Sequence, residues 1–78
     1  MSDLILYVKT GCPWCIKVLN LASEKGIEFE LRNIADAGVA DELIKRGGKR
    51  QVPYLVDKKN GAEMYESADI IEYLKKSL

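Results

Sequence analysis

The run Asp3-Leu4-Ile5-Leu6-Tyr7-Val8 constrains this chain more than any other segment. It is rich in β-forming residues and lacks the polar alternation of a half-exposed strand, so it reads as a central strand buried on both faces. A strand of that kind needs cover on either side, and the chain has 78 residues from which to supply it. At this size a fold buries only about 60% of the surface that the unfolded chain exposes, so nearly every other apolar run has to join the same core. The composition, 47% hydrophobic and 31% charged, fits one ordinary soluble globular domain spanning residues 1–78.

The remaining segments supply that cover. From Pro13 the apolar positions Cys15, Val18, Leu19 and Ala22 recur at helical spacing until Gly26. Between Ile27 and Ile34, Phe29 and Leu31 alternate with Glu28, Glu30 and Arg32, which predicts a half-buried edge strand. Asp36 is expected to cap a second helix with Val39, Ala40, Leu43 and Ile44 inward, ending at Gly47-Gly48. Val52 to Val56 and Ala62 to Tyr65 read as two strands flanking Lys58-Lys59-Asn60-Gly61, with a tight turn at Asn60-Gly61. Ser67 is expected to cap a last helix with Ile70, Ile71 and Leu74 inward. The order βαβαββα predicts an α/β fold: a four-stranded mixed sheet with three helices, its first strand pair parallel and its closing hairpin antiparallel.

Cys12 and Cys15, separated by Pro13-Trp14, fall where the first strand meets the first helix, the end of an α/β sheet that usually carries chemistry. In a reducing compartment such a pair reads as catalytic or metal-binding rather than as a staple, since a bridge closing so small a loop constrains the unfolded chain little. Zinc takes four ligands as a rule, and the sequence has two cysteines and no histidine, so no metal is expected. Two buried structural cysteines are the bland alternative. The reactive form of cysteine is the thiolate, which an electropositive setting favours. Cys12 precedes Pro13 at a helix start, where unpaired N–H groups and the helix dipole favour negative charge, and Lys9 is close enough in sequence to add a cation. Cys15, one turn further along the apolar face, is expected to stay protonated through burial. The pair thus predicts a nucleophile, Cys12, and a resolving thiol, Cys15.

Twelve basic and twelve acidic residues cancel, which removes the field that nucleic-acid or anionic-membrane binding relies on. Leu4 to Val8 is too short for a signal-peptide core or a membrane span. The expectation is a cytoplasmic monomer with neither nucleic acid nor membrane as partner.

At Lys9-Thr10-Gly11-Cys12-Pro13-Trp14-Cys15 the chain resembles the glutaredoxin family, whose signature is a Lys shortly before a Cys-Pro-aromatic-Cys motif. Val52-Pro53 resembles the Val-cis-Pro loop of thioredoxin-fold proteins. Gln51-Val52-Pro53-Tyr54-Leu55 with Glu66-Ser67 resembles the glutathione-binding half of glutathione transferases. The resemblance implies a thioredoxin fold and a bound glutathione moiety. It implies that the Val52 backbone, set by Pro53, pairs with the cysteinyl unit beside Cys12, and that Ser67 and Ala68 receive the γ-glutamyl carboxylate. Lys9 and Gln51 are assigned to the glycyl carboxylate, Glu66 to the γ-glutamyl amine or to bracing its loop, and Trp14 to covering the tripeptide. Locally, Ser67 also reads as a mere cap and Pro53 as a turn residue. Tyr54, Tyr65 and Tyr73 default to core packing, and Lys45, Arg46, Lys49 and Arg50 to a solvated helix end. Many glutaredoxins carry Tyr in place of Trp14 and Thr in place of Gln51, and the stretch Tyr65 to Asp69 is closer to the transferase pattern.

The activity so implied is that of a dithiol glutaredoxin, reducing protein disulfides and glutathione mixed disulfides with glutathione as reductant. Two alternatives share the fold. One is an electron carrier served by a thioredoxin reductase. The other holds a [2Fe-2S] cluster between two Cys12 thiolates and two glutathiones, a role that Pro13 disfavours. A transferase reading would call for a large helical second domain that 78 residues do not hold.

Overall fold

Burial of the first strand on both faces decides the layering. The computed structural model describes residues 3–77. Its elements are β1 (Leu4–Val8), α1 (Pro13–Lys25), β2 (Glu30–Asn33), α2 (Val39–Gly47), β3 (Tyr54–Asp57), β4 (Ala62–Met64) and α3 (Ser67–Ser77). The strands lie in the order β2-β1-β3-β4, with β2 parallel to β1 and the other pairs antiparallel. This is the four-stranded mixed sheet that the element order predicts and the thioredoxin fold that the resemblance implies.

Side chains of β1 alternate between two cores. Leu6 and Val8 join Cys15 and Val18 of α1, Leu55 of β3, and Ile70 and Leu74 of α3. Ile5 and Tyr7 point the other way, to Val39 and Leu43 of α2 and to Tyr54 and Val56 of β3. Leu6 and Leu55 are both sealed from solvent, and truncating either to Ala costs about 2–5 kcal/mol on the usual scale for leucine cavities. Among the described residues no helix is long and apolar enough to cross a membrane.

Local chemistry sets the element ends, and here several expectations are corrected. α1 closes at Gly26 (φ 69°), where Ile27 N–H donates to the Ala22 carbonyl at 2.8 Å. That closing turn occupies the residues expected to start β2, so the strand shrinks from 27–34 to Glu30–Asn33. On this edge strand Leu31 is 53% exposed instead of inward. Asp36 does not cap α2. Asn33 Oδ1 accepts the Ala35 N–H at 2.9 Å, the chain turns again at Asp36, and Gly38 (φ 81°) takes the cap position without a side-chain bond. Ile44 also turns outward, since Val39 and Leu43 suffice to cover their sheet face. Ser67 is the first helical residue of α3 rather than its cap: the half-in residue is Glu66 (φ 68°), whose carbonyl accepts the Ile70 N–H at 3.0 Å.

The tyrosines do more than fill space. Tyr7 donates to Glu42 Oε2 at 2.7 Å, and burial followed by this carboxylate partner pushes its pKa up to about 12. Tyr73 of α3 donates to Asp57 Oδ2 at 2.6 Å. Asp57, at the end of β3, is only 2% exposed. Its carboxylate also accepts the Lys59 and Asn60 backbone N–H groups and the Asn60 side-chain amide. It therefore ties the β3–β4 turn to α3. Burial alone would push this carboxyl up, but the Tyr73, Asn60 and Lys59 hydrogen bonds to the charged form outweigh it and hold the pKa below the ordinary value.

A depressed carboxyl pKa stabilises the fold above the unfolded value of about 3.9 and loses that contribution as pH falls through the folded value. Asp57→Asn should thus lower the melting temperature at pH 7, with a cost of about 1–3 kcal/mol for lost charge-assisted hydrogen bonds. The gap between variant and wild type should narrow below about pH 4 in calorimetry across pH 3–8.

Candidate active site

Cys12 is the N-cap of α1, with extended backbone (φ −77°, ψ 113°) and Pro13 in the first turn. Pro13 supplies no N–H, and the donor that faces the sulfur lies two residues beyond it. The Cys15 N–H donates to Cys12 Sγ at 3.3 Å. A sulfur at this position meets the positive end of the helix dipole. Cys12 is half-buried while Cys15 is buried, and no disulfide joins them. Burial first, then the Cys12 sulfur beside it, pushes the Cys15 thiol up to about 11, with the Lys9 backbone pulling weakly the other way. The two sulfurs thus occupy different environments, as the spacing predicts.

Lys9 is exposed, and its carbonyl accepts the Cys12 N–H at 3.1 Å, closing the turn that delivers the nucleophile. Nearby, Asn33 donates to Thr10 Oγ1 at 2.9 Å and so ties the end of β2 to the same turn.

A groove of about 430 Å³ opens at Trp14, two residues along the chain from Cys12. Gln51, Val52 and Pro53 line it from the loop before β3, Glu66, Ser67 and Ala68 line it from the start of α3, and Trp14 of α1 completes it. The Val52–Pro53 peptide is cis. Seven of the residues singled out in the sequence therefore meet in one cleft, although they come from three separated segments. Cys12, Cys15, Lys9 and Pro13 are not among its lining residues. Gln51 and Glu66 meet directly, the Gln51 amide donating to Glu66 Oε1 at 3.0 Å.

Two contacts around the groove have no counterpart in the sequence reading. Lys17 Nζ lies 4.7 Å from the centre of the Trp14 ring, holding an indole that is otherwise 54% exposed. The i,i+3 spacing of Trp14 and Lys17 was the available signal. Tyr65 is the second: its hydroxyl donates to the Lys49 carbonyl at 2.8 Å and accepts the Lys49 N–H at 3.0 Å. No local pattern announces a partner 16 residues away. Among the described residues there is no group of three or more His, Cys, Asp or Glu arranged to hold a metal ion.

Comparison with known proteins gives a consistent picture. The profile of the glutathione S-transferase N-terminal domain matches residues 6–77. Glutaredoxin 3 of Escherichia coli K12 is 38% identical over 56 residues, which cover 70% of this chain and 68% of that protein. Glutathione transferase Omega 3C from Trametes versicolor superposes with a TM-score of 0.85 at 26% identity, over 99% of this chain and 34% of that one. Glutaredoxin 2 from Salmonella typhimurium, solved in complex with glutathione, gives a TM-score of 0.81 at 25% identity, over 97% of this chain and 34% of that one. The chain thus spans about a third of each of these two structures.

The contrast between the sulfurs predicts selective alkylation. Reduced protein treated briefly with iodoacetamide at pH 7.5 should carry a single adduct, on Cys12, by peptide mass spectrometry. Labelling of Cys15 should appear only as the pH approaches the raised value of about 11. Equal labelling of both at pH 7.5 would contradict the assignment.

Proposed function

The chain belongs to the glutaredoxin family of thioredoxin-fold proteins, with features of the glutathione S-transferase N-terminal domain, and on that premise we propose that it reduces protein disulfides and glutathione mixed disulfides through Cys12 and Cys15. Membership makes it, at the coarser level, a glutathione-linked thiol oxidoreductase. The observation that carries the finer reading is the convergence of the cis Val52–Pro53 loop, the start of α3 and Trp14 on one groove, Trp14 belonging to the first turn of the helix that Cys12 caps. An extended tripeptide with a carboxylate at each end fits a groove of this makeup. The N-terminus of α3 at Ser67 and Ala68 offers unpaired N–H groups to one carboxylate.

With a glutathione mixed disulfide, the Cys12 thiolate attacks the glutathionyl sulfur. The S–S bond breaks, its electron pair leaves with the substrate thiolate, which takes a proton from water, and Cys12 is left glutathionylated. A second glutathione, as thiolate, attacks that sulfur, releasing oxidised glutathione and restoring Cys12. With a protein disulfide, Cys12 forms the mixed disulfide and Cys15 attacks Cys12 Sγ, giving the oxidised pair and a reduced substrate. Two glutathiones then return the pair to the dithiol and leave as one disulfide. Cys15 holds its proton until this step, so an idle enzyme exposes one nucleophile rather than two.

The test is glutathione-dependent reduction of a glutathione mixed disulfide, coupled to glutathione reductase. Cys12→Ser should bring the rate to background, while Cys15→Ser should stay active on this substrate. Trp14 is the one tryptophan of the sequence, so its fluorescence should also change on glutathione addition. Wild-type protein that is inactive here, yet is reduced by a thioredoxin reductase, would replace this reading with that of an electron carrier.

A further inference from the structure

Two segments far apart in sequence face each other across the groove, the loop through Gln51, Val52 and Pro53 and the turn through Glu66, Ser67 and Ala68. The first is a loop outside any regular element and the second is the start of α3 with Glu66 before it, so the width of the groove depends on what ties the loop to the helix. Two side-chain links do so, from adjacent residues. Glu66 accepts the Gln51 amide at 3.0 Å. Tyr65 grips Lys49 through both of its backbone groups, donating to the carbonyl at 2.8 Å and accepting the N–H at 3.0 Å.

The first link joins two side chains that line the cleft and so have their own claim on a ligand. The second does not. Tyr65 lies outside the groove lining and its hydroxyl is spent on backbone. Its ring is fixed by Tyr54, 4.4 Å away between centroids, with Lys49 Nζ 5.6 Å from its centre. The end of α2 closes on the same ring: a Cβ added to Gly47 would come within 2.8 Å of Tyr65 Cζ and 3.0 Å of Tyr54 Cζ. Tyr65 is thus held on several sides and holds one thing, the backbone two residues before Gln51.

We propose that Tyr65 is a positioning residue for the glutathione groove, its hydroxyl setting the distance between the Gln51–Pro53 loop and the start of α3. This deepens the proposed function and rests on it for the identity of the ligand. Without the hydroxyl, the Lys49 N–H and carbonyl turn to water at little cost, because the site is solvent-accessible. The loop then samples wider positions, and the ligand has to order it on binding. Binding should suffer while the chemistry at Cys12, on another segment, should not.

The variant is Tyr65→Phe, which keeps the ring and removes the double hydrogen bond. In the coupled assay the KM for a glutathione mixed disulfide should rise about fivefold with kcat within about twofold of wild type, as expected for lost uniform binding. Tyr54→Phe is the control, because it removes a hydroxyl from the same aromatic cluster, one that binds Glu63, and lies outside the groove lining. It should lower the melting temperature and leave KM unchanged. Amide hydrogen exchange at residues 48–52 reads the link without any substrate and should quicken at least about fivefold in Tyr65→Phe alone. A Tyr65→Phe enzyme with wild-type KM, or with wild-type exchange in this loop, overturns the proposal. Faster exchange in a protein whose wild type shows no glutathione activity supports the link and overturns the ligand it was proposed to serve.

Discussion

Everything in this fold hangs on β1 being closed on all four sides. Its edges pair with β2 and β3, and its two faces meet α1 and α3 on one side and α2 on the other. That enclosure makes an uninterrupted apolar pentapeptide stable in the centre of a small protein, and it fixes where the chain must leave the sheet. Beyond Val8 the next residues emerge at the sheet end, and the Lys9–Cys12 turn hands the chain to α1. The reactive sulfur therefore stands at the exit of the most enclosed strand of the sheet. β3, the other interior strand, starts directly after the cis Val52–Pro53 peptide, so the second half of the site is anchored to a buried strand as well.

Much of this was legible because it depends on patterns short enough to read. The enclosed strand follows from Leu4 to Val8 alone, α1 from the spacing of Cys15, Val18, Leu19 and Ala22, and the groove from three short segments that resemble known ones. The errors cluster where neighbouring residues compete for one local role. Asn33 and Asp36 are both good turn formers, and Asn33 Oδ1 takes the Ala35 N–H first, which leaves the start of α2 to Gly38. At the start of α3, Ser67 has the better side chain for a cap, yet the chain reverses at Glu66 and Ser67 falls inside the helix. The tyrosine hydroxyls were illegible for a different reason. Their partners lie 35 residues away for Tyr7 and 16 for Tyr65 and Tyr73, so that only the assembled fold brings them into reach.

The two faces of the sheet are built by different means. The face under α1 and α3 is aliphatic, filled by leucine, valine and isoleucine with Cys15 among them. The face under the single helix α2 relies on Tyr7 and Tyr54, whose hydroxyls end on Glu42 and Glu63, with Arg32 paired to Glu42 at 2.9 Å. One helix leaves the edges of a sheet face near water, and an aromatic ring with a polar tip suits that boundary better than an aliphatic chain. The chemistry lies on the drier side, where Cys15 keeps its proton.

Cys12 occupies the helix position that serine or threonine commonly fills, and its sulfur accepts the N–H that their oxygen would. Joining that sulfur to Cys15 or to a glutathionyl group turns it into a disulfide sulfur, a poorer acceptor than the free one, and the cap of the helix weakens. A thermodynamic cycle connects the two events. Any difference in folding free energy between the reduced and oxidised protein is also a difference between its reduction potential and that of the unfolded chain, about 30 mV for each 1.4 kcal/mol. The potential of the couple is in this sense a mechanical property of α1, and a substitution in that helix is a redox substitution to the extent that it destabilises the reduced and oxidised forms unequally.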